Sequence, residues 1–460
     1  MRTLIKETLE KVGQSVTLNG WVDSIRDHGK VAFIDLRDRS GKIQCVGKDL
    51  PKVTAESVVE INGIVAKRPE KLINPKLPTG SVEIQIEKMT VMSLCKELPF
   101  PVDTEGYEID EELRLKYRYL DLRRPRLRRN IKVRSEYVKA AREYLFTQDF
   151  TEVETPLLTK STPEGSRDFI VPSRLYPGKF FALPQSPQQY KQLLMTAGVE
   201  RYFQLARCLR DEDPRADRGF EHTQIDLEMS FVTREEVMKL VEGMTIYALN
   251  KIGAKIAKVP FPIITYQEAM TKYHADKFDL RTESEKKSGI LSFAWVIDFP
   301  FFEKDKEGKW TFTHNPFSQP HPEHEQWLLE KKNIDKILTS QYDLVCNGFE
   351  VGGGSIRSNK PEVLQTVFEI MGYKKDEIYQ KFGHMLAAFT YGTPKHGGCA
   401  QGFERLLMAY LGEEYLREIQ AFPQTGRGHT SIMDAPSELD EEQLKELGIS
   451  VRRQSKTKTG

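Results

Sequence analysis

From Leu18 to Met92 apolar and polar positions alternate in short runs: GWVDSIRDHG, KVAFIDLRDRSG, KIQCVG, SVVEINGIVAKR and SVEIQIEKMTVMS. Period-two alternation, broken each time by turn-forming residues, predicts strands. Five strands in ~80 residues predict a small closed barrel of the OB type, with a β-sandwich fragment as the alternative. The alternation stops at Cys95–Asp110, where CKELPFPVDTEGYEID carries two prolines and five acids and reads as a linker. Leu113–Arg129 follows, with eight basic residues against one acid. Such a run is either a solvated helix face with ion pairs or a surface for nucleic-acid phosphates, and the pattern does not choose. A helical period runs through IKVRSEYVKAAREYLFTQ, and TEVETP reads as a strand stopped by Pro156. Beyond Phe203 strands and helices mix without a βαβα repeat, which predicts an α+β domain on an antiparallel sheet flanked by helices. The expected organisation is a barrel over 1–94, a hinge over 95–125, a larger domain over 126–437, and a tail over 438–460 that is helical and then frayed.

Four segments of the larger domain carry chemistry. In YFQLARCLRDEDPRADRGFEHTQIDLEMSFV, period two puts His222, Gln224, Asp226 and Glu228 on one face, and Thr223, Ile225, Leu227, Met229 and Phe231 on the other. Arg210 shares a face with Cys208, Ala206 and Gln204, so this hairpin has a greasy back and a charged, roomy front. An Arg so placed offers a fixed fork to phosphate oxygens. In LPQSPQQYKQLLM, Ser186 suits an N-cap and Pro187 the first helical position. Gln188 and Lys191 then share a helical face near the positive end. In YDLVCNGFEVGGGSIR, Asn347-Gly348 predicts a hairpin turn, so Val345 faces Glu350 and Asp343 lies diagonally beside it. Two such carboxylates need a compensating cation, either Mg2+ or the guanidinium of Arg357. In YGTPKHGGCAQGFERLLMAYLG, glycines 397, 398 and 402 lead into an amphipathic helix with Arg405 in its first turn. That pattern is either a phosphate cradle or a tightly packed strand–helix junction. Neither a P-loop nor a GxGxxG turn is present.

Composition narrows the class. The 460 residues allow two or three domains, and 68 Lys plus Arg against 67 Asp plus Glu exclude a uniformly basic packaging protein. Five cysteines without a CxxC argue against a disulfide framework or a zinc ribbon and fit a reducing cytosol. The HPEH at 321–324 has no further His or Cys beside it and does not read as a zinc site. The first residues lack the apolar stretch of a signal peptide, and the apolar run Ile290–Phe302 is broken by Asp298 and Pro300. A cytoplasmic protein without a membrane span is expected.

In this order, TEVETP, RCLRDEDPRADRGFEHTQIDLEMSF and GGCAQGFERL resemble the three motifs of the class II aminoacyl-tRNA synthetases. From GWVDSIRDHG to FPQTGRGHTSIMDAPS the chain is most similar to the bacterial-type aspartyl-tRNA synthetases. The resemblance implies ATP and Mg2+ as cofactors, L-aspartate and tRNA(Asp) as substrates, an anticodon-binding barrel, and a homodimer built around Pro156. Whether tRNA(Asn) is also charged stays open; His28 in RDHGK leans towards the wider range. For the amino acid, the resemblance implies Glu164 of STPEGSRDF in a closing loop, Gln188 and Lys191 at the substrate side chain with Gln189 and Tyr190 beside them, and Asp226 on the α-ammonium. It also implies Arg357 on the aspartate carboxylate and His314 closing the pocket. It implies Arg210 on both the aspartate α-carboxylate and the α-phosphate of ATP, Asp211 and Glu212 near an adenine stacked on His222, and Gly402, Phe403 and Glu404 leading to Arg405 at the γ-phosphate. Asp343 and Glu350 would carry Mg2+, and Arg210, Arg405 and Glu350 would be catalytic. Arg26, Phe33 and Gln44 would meet anticodon bases by stacking and edge hydrogen bonds.

The chain departs from the family pattern at several points. His222 replaces a frequent Phe, Gly219 a polar residue, Asn315 a second His, and Glu404 an Asp. Where the family inserts a whole domain, only an exposed loop around TESEKKSG joins Arg281 to Phe293. Lys191 and Arg357 are expected to form a doubly cationic pocket that prefers aspartate to asparagine or lysine. The rival readings are an asparaginyl or lysyl enzyme of the same subclass, and a non-catalytic RNA-binding paralogue, against which Arg210, Arg405 and Glu350 argue.

Overall fold

The alternating runs of the N-terminal unit close into a barrel of β1 (Ser15–Asp27), β2 (Ala32–Asp38), β3 (Gly41–Gly47), β4 (Val58–Lys67) and β5 (Val82–Ser93). Its strand order is β1-β2-β3-β5-β4, with β4 pairing back to β1. The inward positions Leu18, Leu36, Ile43, Ile61 and Ile84 are fully buried, as the period-two pattern requires. A side chain at Gly63 would place its Cβ 2.2 Å from the Gln85 carbonyl oxygen, so the close approach of β4 and β5 needs the glycine. The computed structural model describes residues 1–29, 31–161 and 164–452, which divide into two units at Pro101/Val102. Thr162 and Pro163 of STPEGSRDF, and the end of the tail, lie outside the described residues.

The second unit is built on an eight-stranded sheet. Its strands are β6 (Thr151–Glu152), β9 (Arg201–Leu209), β10 (Glu221–Ser230), β11 (Ile263–Thr265), β12 (Phe293–Ile297), β15 (Gln341–Cys346), β16 (Phe349–Ile356) and β17 (His396–Gln401). Two small hairpins, β7 (Ile170–Pro172) with β8 (Phe180–Ala182) and β13 (Phe302–Lys304) with β14 (Trp310–Phe312), stand apart from it. The order is β11-β12-β15-β16-β17-β10-β9-β6. The six inner strands are antiparallel, as the missing βαβα repeat predicts, while β11 and β6 join their neighbours in parallel. TEVETP thus contributes only a two-residue strand. One face of the sheet packs on the helices Pro125–Thr147, Arg234–Lys251 and Phe403–Leu411, where Ile225, Leu227 and Met229 meet Tyr137, Val241 and Leu407. Phe231 does not join this back: it stands at φ 60° with 70% of its surface exposed, just past the end of β10.

Half of the basic run is turned inward, into ion pairs of the second unit. Arg114, Arg118, Arg124 and Arg126 are at most 5% exposed, and they converge on three buried carboxylates. Asp121 takes Arg118 at 2.7 Å and Arg124 at 2.6 Å; Glu418 takes Arg114 at 2.6 Å and Arg126 at 3.2 Å. Glu413 takes Arg126 at 2.6 Å. Four guanidiniums out of water require this pairing, and the network fixes residues 114–126 into the second unit.

The span Thr282–Ser292 carries one short helix, Glu283–Lys287, capped reciprocally by Thr282 and Glu285. None of its residues lines the central cavity. In HPEH, His324 accepts the backbone N–H of Leu338 on Nδ1 at 3.1 Å, and His321 faces Asp298 at 3.2 Å, so both rings are structural. The tail forms the helix Glu441–Leu447. Among the described residues no helix is long and apolar enough to cross a membrane.

Candidate active site

The face of the sheet opposite the three helices opens into a cavity of about 270 Å3. Its floor is set by strand register: Asp226 pairs with Gln204 on β9 and with Ala400 on β17, and Glu228 with Tyr202 and Gly398. Gly398 is small because a Cβ there would lie 2.0 Å from the Leu227 carbonyl and 2.2 Å from Glu228. Gly397 is likewise closed in by Ile356 and Ser355. These two glycines are packing glycines of the strand. Gly402 alone of the three lines the cavity, with its nearest obstacle 3.9 Å away.

At the deep end four charges form one buried cluster. Lys191 Nζ donates to Asp226 at 2.7 Å and lies 3.3 Å from Glu228; Arg357 Nε donates to Glu228 at 2.9 Å. All four residues are at most 3% exposed. The doubly cationic pocket is therefore corrected: each cation already faces a carboxylate, and the cluster is balanced in charge. Burial pushes the Asp226 carboxyl up despite Lys191. Burial works the same way on Glu228, but Arg357 and Lys191 outweigh it and hold that carboxyl below its usual range.

The balance leaves specific valences open. Lys191 has three N–H donors and meets two carboxylates. Arg357 has five and spends four, on Glu228 twice, on Ser355 Oγ at 2.8 Å and on the Gly398 carbonyl at 3.4 Å. One donor remains on each. Among the described residues Asp226 Oδ1 is buried without a hydrogen-bond partner, an acceptor left over.

The shallow end is cationic. Arg210 extends from the end of β9, and its guanidinium touches only the Gln185 carbonyl, at 3.4 Å; among the described residues no carboxylate pairs with it. Arg405 is held by the Glu350 carbonyl at 2.8 Å and by Asp217 at 3.2 Å. Burial, then Arg210, Arg405 and Arg207, depress the His222 imidazole to about 3, so the ring is neutral at pH 7 and presents a flat apolar face. Glu212 and Gly219 line the same end, and a Cβ at Gly219 would meet nothing closer than 3.9 Å. Space for the missing polar side chain is there.

Val345 faces Glu350 across the β15–β16 turn, but a bulge after Leu344 moves Asp343 opposite Gly353. Glu350 lines the cavity. Asp343 does not: it is 2% exposed, behind Gly353, with His314 Nε2 at 3.0 Å and Gln341 Nε2 at 2.7 Å on its two oxygens. Burial would lower the His314 imidazole, yet the Asp343 carboxylate raises it. Lys277 Nζ sits 2.9 Å from Glu350, a cation on a carboxylate that needs one. Mg2+ takes one or two carboxylates and completes its shell with waters and phosphates, so Glu350 backed by Asp343 fits it. Among the described residues no group of three or more His, Cys, Asp or Glu side chains converges.

Besides Asp343, five sequence candidates do not face the cavity freely. Phe403 is fully buried on the other side, stacked on Tyr137 at 6.0 Å under the guanidinium of Arg134, because the first turn of its helix points to the core. Glu404 reaches the wall, but its carboxylate is held by Arg134 at 2.5 Å and Gln420 at 3.0 Å. Asp211 turns outward to Arg167 at 3.4 Å. Gln189 and Tyr190 lie on the adjacent helix face; Gln189 binds Glu164 at 3.3 Å and Tyr190 meets Thr159 at 3.1 Å. Glu164 itself lines the cavity and accepts Ser186 Oγ at 2.8 Å. The helix begins at Gln188, one residue later than the Ser-Pro cap predicts.

On the barrel, Arg26, Phe33 and Gln44 share one face. Arg26 pairs with Phe33 in the β1–β2 register and donates to Gln44 at 3.2 Å and Asp35 at 3.3 Å. Gln44 donates in turn to Glu83 at 2.9 Å, and the His28 ring meets Phe33 edge-on at 5.8 Å.

A family model described as tRNA synthetases class II (D, K and N) matches residues 110–426, and one described as OB-fold nucleic acid binding domain matches 16–92. The chain belongs to the class II tRNA synthetases of the D, K and N group. The aspartate–tRNA(Asp/Asn) ligase of Natranaerobius thermophilus is 39% identical to this synthetase over 97% of its chain and 98% of the relative. The ligase of the same name from Caldanaerobacter subterraneus is 37% identical over 96% and 97%. The first alignment runs over 581 residues against 460 here, so that relative carries more than a hundred residues this synthetase lacks. Asparaginyl-tRNA synthetase from Pyrococcus horikoshii complexed with asparaginyl-adenylate shares the fold, with a TM-score of 0.74 at 24% identity, over 92% of this chain and 98% of that one.

Sequence reasoning missed Glu228, Lys277 and Gln224 as site residues. Glu228 and Gln224 were visible on the polar face of β10; nothing in the local sequence marks Lys277.

Proposed function

We propose that this synthetase activates L-aspartate with ATP and esterifies it to tRNA(Asp) and tRNA(Asn). The observation that carries the amino-acid assignment is the balanced cluster with two donors and one acceptor left over. The free N–H groups of Lys191 and Arg357 meet the side-chain carboxylate, and Asp226 Oδ1 meets the α-ammonium. An asparagine amide would turn its NH2 against one of those donors, costing ~1–3 kcal/mol, or roughly five- to a hundred-and-fifty-fold. Selection comes from donor placement and not from net positive charge.

In the first step the α-carboxylate oxygen of aspartate attacks the α-phosphorus of ATP. A C–O–P bond forms, the bond from the α-phosphorus to the bridging oxygen breaks, and pyrophosphate leaves with its electron pair. The carboxylate is already the nucleophile, so no enzyme base is needed. Arg210, with no carboxylate partner among the described residues, meets the charge that develops on the α-phosphate, while Arg405 holds the far phosphates. Neutral His222 stacks on adenine. Glu350, with Asp343 behind it, would hold Mg2+, which would supply charge neutralisation to the phosphates. In the second step a ribose hydroxyl of the tRNA terminus takes the aspartyl group and AMP leaves.

The wider tRNA range is supported by the two ligases named above and by His28 beside Phe33. ATP–pyrophosphate exchange tests the amino-acid assignment: it should depend on aspartate, with asparagine and lysine near background. Equal exchange with asparagine would refute the donor argument. We further propose a cytoplasmic homodimer joined around Pro156, where Leu157 and Leu158 are each 52% exposed. Sedimentation should give a species of two chains; a fully active monomer would overturn it.

A further inference from the structure

Three side chains lead inward from the cavity wall in a hydrogen-bonded line whose direction is fixed at its far end. His396, the first residue of β17, and Gln192, one turn after Gln188 on its helix, are both fully buried, and neither lines the cavity. His396 Nδ1 lies 2.8 Å from the Pro394 carbonyl oxygen. A carbonyl only accepts, so Nδ1 carries the proton. Burial, joined by Arg357 and Lys191, outweighs Glu228 and the Pro394 carbonyl, holds the imidazole below its usual range and so disfavours a second proton. Nε2 is therefore a lone pair, and the atom of Gln192 facing it at 3.1 Å has to be the amide NH2. Gln192 then turns its Oε1 to Gln188, which must answer with its own NH2 at 3.0 Å. Gln188 lines the cavity, and with its NH2 turned to Gln192 its amide keeps Oε1 and the second N–H for a ligand, Oε1 being its one acceptor.

We propose that His396 and Gln192 are positioning residues that lock the Gln188 amide with its oxygen towards the amino acid. This rests on the reading of the cavity as the aspartate site. It also revises the place of Gln188 within that site. An aspartate side-chain carboxylate has no proton to give Oε1; the α-ammonium does. Gln188 Oε1 joins Asp226 Oδ1 as a second acceptor for the ammonium, and Lys191 and Arg357 are left to the side chain. Were the line reversed, Gln188 would present its NH2 to a cation.

The test is ATP–pyrophosphate exchange with aspartate and ATP varied separately, on His396→Phe, Gln192→Met, His396→Gln and Gln188→Leu. His396→Phe and Gln192→Met cut the line at different links, so one reports if the other fails to fold. Each should raise the aspartate KM by about ten-fold or more while the ATP KM stays within about two-fold. His396→Gln keeps an acceptor towards Gln192 and should bring the aspartate KM back to within a few-fold of the parent, which a packing defect would not. If Gln188→Leu raises the aspartate KM while His396→Phe and Gln192→Met do not, the relay is wrong and the site stands. If none of the four moves it, the site reading falls with the relay.

Discussion

Arg357→Ala is expected to raise the aspartate KM by roughly thirty-fold to a few thousand-fold, with the ATP KM within about two-fold of the parent. The guanidinium is the junction of the deep end: it holds Glu228, Ser355 and the Gly398 carbonyl, and among the described residues one N–H has no partner. Truncation removes that donor and leaves the fully buried Glu228 with Lys191 alone, so stability should also fall, by ~3–5 kcal/mol. Arg357→Lys should be intermediate, because one ammonium cannot reproduce a planar fork. The variants are compared by steady-state kinetics and by urea unfolding. An equal loss of ATP affinity would make Arg357 a phosphate ligand and displace the amino-acid pocket.

Glu418→Gln is expected to destabilise the second unit by ~3–5 kcal/mol, seen as a lower urea midpoint, without changing tRNA affinity where the protein is still folded. Glu418 is 3% exposed and takes Arg114 and Arg126 directly. Neutralising it leaves guanidiniums buried with too little negative charge. The opposite pattern, normal stability with weakened tRNA binding, would restore the basic run as an RNA surface.

These two expectations mark where the sequence was legible. Strand periodicity placed His222, Gln224, Asp226 and Glu228 on one face, and Asn347-Gly348 set the Val345–Glu350 pairing, because both are local consequences of backbone geometry. What the sequence hid was long-range. The carboxylates that absorb the basic run, Glu413 and Glu418, lie about three hundred residues from it. The partner of Arg357 lies 129 residues upstream, so the charge of the pocket was misjudged from its cations alone. The bulge after Leu344 shifts Asp343 behind Gly353, and no turn residue announces it. Phe403 follows a helix phase that only its packing against Tyr137 reveals. Gly397 and Gly398 look like a phosphate cradle in sequence, and only the neighbouring strands show that they are packing positions.

The most direct test is aminoacylation of purified tRNA(Asp) and tRNA(Asn) side by side, with aspartate and with asparagine. Aspartate should be esterified to both tRNAs and asparagine to neither. Asparagine charged onto tRNA(Asn), or tRNA(Asp) left without aspartate, would contradict the assignment of Lys191, Arg357 and Asp226.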